Sequence, residues 1–323
     1  MNVKKSVFLL GIFLLSTAAL FAAGRKDTTS ASPQTMKFYA FEGGYGRAYF
    51  DDMVAQFQAA HPGTTIELLA DPEVYTILSV DVAAGQWPDL VHAAGSAIND
   101  EYVKTRELLD ITDVMDSEVP GRPGTKIRDY VLDGMLDTKL YSPYGDGRIY
   151  KAPFIAGPQA LVYNKNLFDT KGWKVPVTWD EFFALARELE KPENYVTIDG
   201  KQVKRALFTY QGIYPGYMEM MFWPAIAGAT GPEGINRIKS YTPGSFSSPE
   251  VRQVVENFAK IGPGGYLMEG TAGLNHTQSQ ADMMIGKALF IPNGTWMENE
   301  MKDSPREPGF SFAMTPSPVL RAG

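Results

Sequence analysis

From residue 36 onward, short apolar runs alternate with longer stretches in which apolar residues return every three or four positions. Residues 36–41 (MKFYAF) predict a strand, followed at once by the turn Glu42-Gly43-Gly44-Tyr45-Gly46. Phe50, Met53, Val54 and Phe57 then keep the spacing of one helical face. His61-Pro62-Gly63 stops that helix; 64–69 (TTIELL) predicts a strand, 72–84 a helix ended by Gly85, and 88–93 (PDLVHA) a third strand. Strand, helix, strand, helix, strand with short links predicts a parallel sheet flanked by helices. Ligands of such sheets sit beyond the carboxyl ends of the strands. The Glu42 loop and the 92–96 loop lie at those ends.

After Asn99 the pattern turns helical and then loop-rich, and Asp146-Gly147 predicts a hairpin leading into 148–154. A short strand follows at 161–163. Thr178 with Glu181 reads as a capping box opening a helix with Trp179, Phe182, Phe183, Ala186 and Leu189 on one face. Residues 206–210 (ALFTY) predict a strand and 215–229 an aromatic- and Met-rich helix ending at Gly228 and Gly231. Ser248-Pro249 opens another helix, with Val251, Val254, Val255 and Phe258 as its buried stripe. Thr277 with Gln280 reads as a further capping box before Met283, Met284 and Ile285. Residues 288–292 (ALFIP) form a strand ending in Asn293-Gly294-Thr295-Trp296, and 310–314 the last strand before Thr315-Pro316-Ser317-Pro318.

Composition narrows the function. The 323 residues are 44% hydrophobic and 21% charged, a globular balance with room for about two domains. A net charge of -7 with no basic tail argues against nucleic acid or anionic lipid as a partner. The chain has no cysteine, which excludes disulfides, thiol nucleophiles, Cys-ligated metals and a lipidated cysteine anchor. Lys4 and Lys5, the apolar run 7–15 and the small residues Ala22-Ala23-Gly24 have the order of a secretory signal peptide. It spans 1–24, with cleavage near Gly24 or after Ala22 or Ala23, and leaves a flexible leader over 25–35. The expected destination is the periplasm, without a lipid anchor. A GxSxG elbow, a phosphate-binding loop and an HExxH motif are all missing.

Four phrases carry the positive signal: Gly85-x-x-Pro88-Asp89-Leu90-Val91, Tyr163-Asn164-Lys165-x-Leu167-Phe168, Pro176-x-Thr178-Trp179-Asp180-Glu181-Phe182, and Gly286-Lys287-Ala288-x-Phe290 running into Gly294-x-Trp296. In this order the chain resembles the extracellular solute-binding proteins of carbohydrate ABC importers, in the maltose-binding-protein superfamily. The stretch from His276 through Gln280 to Gly294 and Met301 resembles the branch that binds N-acetylglucosamine and its β-linked disaccharide. The resemblance implies an α/β, two-lobed periplasmic binding protein fold of type II, with parallel-type sheets flanked by helices and a cleft between the lobes. Lobe 1 would comprise 36–156 plus 315–323, and lobe 2 would comprise 157–314. It implies a monomeric, non-enzymatic receptor without cofactor or metal, which grips a carbohydrate ligand and delivers it to the transmembrane permease subunits. Members of that family continue well beyond the position of Gly323.

Sugar rings offer apolar C–H faces to aromatic side chains and a hydroxyl rim to polar ones. Trp296, after a Gly at a strand end, is expected on the cleft rather than in the core. Asn293 and Gly294 share its loop, as ligand contacts or as a plain turn. Trp223 and Tyr217 stand on the Met-rich helix, either facing sugar or buried. Glu42 and Tyr45 occupy the first strand-end loop, His92 ends the third strand, and His276 precedes a helix. Gln280 explains itself as a capping residue. Two other functions remain open: a secreted carbohydrate hydrolase or lyase using Glu298 or Glu300, and a sugar receptor that signals to a partner.

Overall fold

In a computed structural model of the chain, residues 34–93 and 101–321 are described. The expected signal peptide, nearly all of the leader and the loop after Ala93 lie outside them. The chain divides into two units, Met1–Ala156 and Gly157–Gly323.

The first unit opens with β1 (Gln34–Phe41), α1 (Ala48–Ala60), β2 (Thr64–Asp71), α2 (Val74–Ala83) and β3 (Leu90–His92). Its sheet has the order β2-β1-β3 and is parallel throughout, with Ala40 facing both Ala70 and His92. Met36, Phe38 and Ala40 alternate inward along β1 and meet Phe50, Val54 and Phe57 of α1, the face that the helical spacing picks out. Gln34 and Thr35 pair with Thr64 and Thr65, so the sheet takes in the last two leader positions. Two single-turn helices follow, α3 (Glu101–Lys104) and α4 (Thr112–Met115). The hairpin expected at Asp146-Gly147 does not form. Ile149 is held elsewhere: its N–H donates to the Thr112 hydroxyl at 2.9 Å and its carbonyl accepts from Ile111 N–H at 2.8 Å. Asp146 itself accepts from Arg148 N–H at 3.0 Å and the Tyr150 hydroxyl at 2.8 Å, which makes a closed local turn.

The second unit contains β4 (Gln159–Asn164), α5 (Lys165–Lys171), α6 (Trp179–Leu185), β5 (Val196–Ile198), β6 (Lys201–Val203) and β7 (Ala206–Phe208). It continues with α7 (Glu219–Lys239), α8 (Pro249–Ile261), α9 (His276–Met284), β8 (Ala288–Gly294), α10 (Met297–Glu300) and β9 (Phe312–Thr315). Its main sheet, β7-β8-β4-β9, is mixed: β7 is parallel to β8, while β4 is antiparallel to β8 and to β9. One cluster gathers Leu161, Phe182, Phe208, Met221, Ile226, Val254 and Phe290. Another gathers Val162, Met283, Met284, Ile291, Met297 and Met301. Neighbouring residues of β4 and of β8 thus face different cores, and all seven residues of β8 are buried.

Local rules hold in two places. Thr178 Oγ1 accepts from Glu181 N–H at 3.3 Å while Glu181 accepts from Thr178 N–H at 3.0 Å, and Ser248 caps α8 through Val251 N–H at 3.3 Å. Elsewhere packing overrides them. Residues 215–218 form a 3₁₀ turn, so α7 starts at Glu219; it continues past the expected stop because Pro232 restarts the helix after a non-helical Gly231. Val255, expected in the buried stripe of α8, is exposed, and Asn257 is buried in its place. The segment after Thr315, expected in lobe 1, stays with the second unit. Val319 bridges Thr178, and its carbonyl accepts from Trp179 N–H at 3.1 Å. Among the described residues no helix is long and apolar enough to cross a membrane.

A buried ionic node ties this unit together. Arg205 donates to the Asn194 carbonyl at 2.9 Å, the Gly286 carbonyl at 2.8 Å and the Glu307 carboxylate at 2.6 Å. Asn164 donates to the same carboxylate at 3.4 Å, and its own amide oxygen accepts from Ser311 N–H at 3.1 Å. Removing one member strands the rest without water. Arg205→Ala is expected to cost about 3–5 kcal/mol of unfolding free energy in urea titration, far more than an exposed pair such as Arg47–Asp51.

Candidate functional site

The buried strand β8 decides where polar groups can gather. The β7 ladder stops at Phe208 opposite Phe290, and Thr209 N–H still donates to the Phe290 carbonyl at 3.0 Å. The next outward carbonyl, that of Pro292, has no strand beside it and takes the Gln211 side-chain amide at 3.2 Å instead. Gln211 then turns the chain: Tyr214 N–H donates to its carbonyl at 2.8 Å, and Tyr217 N–H to the Tyr214 carbonyl at 3.1 Å. That winding delivers Tyr217, and one turn into α7 Trp223, to the carboxyl edge of the sheet. The amino end of α9 reaches the same edge, since Ile213 N–H donates to the Leu274 carbonyl at 3.1 Å and the His276 ring lies 5.4 Å from that of Tyr214. Strand β4 begins there, with Gln159 opposite Gly294 and Ala160 opposite Asn293.

An open groove of about 350 Å³ lies at this edge, lined by Gln159, Gly216, Glu219, Met220, Trp223 and Pro224. That volume is at the small end of ligand pockets. The Trp223 indole is 41% exposed and braced edge-on by Phe222 at 5.3 Å, so a flat apolar face stands beside a carboxamide and a carboxylate. Trp296 is half-buried and folds back on Gly294, where a Cβ would come within 2.0 Å of the indole; only glycine admits the ring there. Asn293 is fully buried, and its side-chain oxygen accepts from Gly294 N–H at 2.8 Å. Burial pushes the Tyr217 hydroxyl up to about 12, with the charges of Glu300 and Tyr214 adding to it, so it stays a neutral donor.

The capping box of α9 lies two residues before the expected one. Asn275 accepts from Gln278 N–H at 2.8 Å and Gln278 accepts from Asn275 N–H at 3.1 Å. Gln280 is thereby released from the role expected of it; it is fully buried and donates to the Glu300 carboxylate at 2.9 Å. His276 becomes the first residue of the helix. Of the expected site residues, Trp296, Asn293, Gly294, Trp223, Tyr217 and His276 come to this one edge. Gln159, Gln211 and Glu300 join them. Gln211 could have been found by the rule that picked out Asn293, since it also follows a buried strand. Gln159 could not, because only the antiparallel register sets it opposite Gly294.

The other three expected residues belong to the first unit, at the carboxyl ends of its strands. Glu42 extends β1 by one bond, its N–H donating to the Asp71 carbonyl at 3.3 Å, and Tyr45 stands exposed on the turn. The His92 ring is occupied in packing, 4.8 Å from Phe50 and 4.5 Å from Phe154. Its Nδ1 finds no hydrogen-bond partner among the described residues, and burial pushes the imidazole below its usual value.

The sequence pattern of the family described as bacterial extracellular solute-binding proteins matches residues 52–323. A diacetylchitobiose binding protein of Streptomyces coelicolor is 26% identical over 294 residues, covering 90% of this chain and 58% of its own length. The chain thus spans little more than half of that relative. The apo form of RafE from Streptococcus pneumoniae superposes with a TM-score of 0.66 at 20% identity, over 91% of this chain and 69% of that one. A chitin oligosaccharide binding protein gives 0.63 at 20% identity, over 88% and 68%. These likenesses show that the fold is that of the sugar-binding proteins.

The depressed imidazole of His92 makes a pH prediction. A neutral buried ring contributes stability above its ordinary value of 6.5, and that contribution is lost as pH falls through the lower folded value. His92→Phe should keep more of its stability than the wild type does between about pH 7.5 and about pH 5 in urea titrations.

Proposed function

The chain belongs to the family of bacterial extracellular solute-binding proteins, and from that membership we propose that it is the carbohydrate-capturing receptor of an ABC importer. Its first candidate ligand is N-acetylglucosamine or the β-linked disaccharide of that sugar. The observation that carries the reading is the groove itself: an exposed indole, Trp223, beside the carboxamide of Gln159 and the carboxylate of Glu219. Trp223 offers a flat face to the C–H side of a pyranose, and the polar pair meets the hydroxyl rim. Trp296, beside Gly294, and Tyr217, next to Gly216 of the groove lining, are the further aromatic contacts of this reading. The diacetylchitobiose-binding relative supports the choice of sugar, and the extracellular character of the family supports export to the periplasm. Hand-over to permease subunits completes the proposal.

The work asked of such a site is modest. A micromolar complex needs about -8 kcal/mol, within reach of a few stacks and hydrogen bonds. Binding is reversible and leaves every bond of the sugar intact. Glu298, weighed as a hydrolase carboxylate, is exposed, and Glu300 holds Gln280.

The test is calorimetry and thermal shift on the mature protein with N-acetylglucosamine, its β-linked disaccharide, glucose and raffinose. Saturable, product-free stabilisation by at least one sugar is expected. Trp223→Ala and Trp296→Ala should each raise the dissociation constant about tenfold. Stabilisation by none of them, or release of a hydrolysis product, would reject the reading.

A further inference from the structure

Three carboxamides of the second unit are fully buried: Gln211, Gln280 and Asn293. Their partners fix which atom each leaves free. Gln211 faces the Pro292 carbonyl, which can only accept, so its nitrogen is used and its Oε1 is free. Gln280 faces the Glu300 carboxylate, so again the nitrogen is used and Oε1 is free. Asn293 faces the Gly294 N–H, which can only donate, so its oxygen is used and Nδ2 is free. None of the three free atoms finds a hydrogen-bond partner among the described residues. Buried polar atoms left in this state are rare and costly, and they cluster where a ligand or a water completes them.

The three lie at one edge. Gln211 bonds to the carbonyl of Pro292, the neighbour of Asn293, and Gln280, midway along α9, bonds to Glu300, whose charge is felt at Tyr217. The pattern they present is two acceptors and one donor, with the carboxylate of Glu300 behind and that of Glu219 in the groove. Neither the groove lining nor the carboxamide set brings a lysine or an arginine.

We infer that Gln211, Gln280 and Asn293 are specificity-determining residues that admit neutral sugar residues and reject acidic ones. The inference rests on the proposed reading of the protein as a sugar receptor. A hydroxyl or acetamido hydrogen goes to Gln211 Oε1 and to Gln280 Oε1, and a sugar oxygen takes the hydrogen of Asn293. A uronate or a sulfated sugar fails on two counts. Its ionised group has no hydrogen to give to the two acceptors, and it meets Glu300 and Glu219 as like charges. The free atoms are covered in the described form, so the sugar reaches them only with a local rearrangement of the strand end.

Calorimetry with matched pairs tests this: glucose against glucuronate, galactose against galacturonate, N-acetylglucosamine against its 6-sulfate. At least one neutral sugar should bind, with its acidic counterpart about 100-fold weaker or worse. Gln211→Met and Gln280→Met should weaken the neutral sugar about tenfold each. Glu300→Gln should narrow the neutral–acidic gap by about tenfold, a readout that a merely structural role would not move. Equal binding of neutral and acidic partners by the wild type overturns the inference without any variant. So does unchanged affinity in folded Gln211→Met and Gln280→Met proteins, which would make the free atoms sites for internal water only. Binding of no sugar of either kind rejects the receptor reading, and the inference falls with it.

Discussion

The second unit depends on the complete burial of strand β8. Seven consecutive residues are buried, so every polar group on or beside them needs a partner within the protein. Along most of its length β7 and β4 supply those partners. Where β7 stops, the ladder is left open on one side, and side chains have to stand in for a strand. Gln211 does so for Pro292, and in doing so it sets the path that carries Tyr214, Tyr217 and α7 to the strand end. The candidate site is in this sense a by-product of how a buried strand is terminated.

Two buried polar assemblies in the same unit make a useful contrast. Around Arg205, three N–H donations find acceptors, and the carboxylate of Glu307 is shared with Asn164. In that network each of the three guanidinium nitrogens of Arg205 has a partner. The carboxamides at the strand end are each half-used, with one atom committed and the other idle. Saturated networks fix a fold, while incomplete ones mark places where sequence serves something other than stability.

Much of the architecture was legible in the sequence. The parallel β-α-β-α-β start follows from apolar spacing, and the caps at Thr178 and Ser248 follow from residues within three positions of each other. What failed did so for identifiable reasons. Asn275-x-x-Gln278 and Thr277-x-x-Gln280 are overlapping frames of the same rule, and only the burial of Gln280 against Glu300 separates them. Asp146-Gly147 has the composition of a hairpin turn, but the strand that would follow it is claimed by Thr112 and Ile111. For the candidate site, the placing of Trp296, Asn293 and Gly294 at a strand end was readable because they follow an apolar run. Gln159 was hidden because strand register is a long-range property that no local pattern encodes.

The sheet of the second unit also imposes an order of events on the growing chain. Its first strand, β4, lies between β8 and β9, the last two strands of the described residues, and Asn164 bonds to Ser311 across 147 positions. Neither flank of β4 can close until residues 288–294 and then 312–315 have been made. Contacts of such separation are slow to form, because a long loop has to be ordered before they repay its entropy. The nascent chain therefore leaves β4 unpaired for about 120 positions after it is made, until β8 arrives.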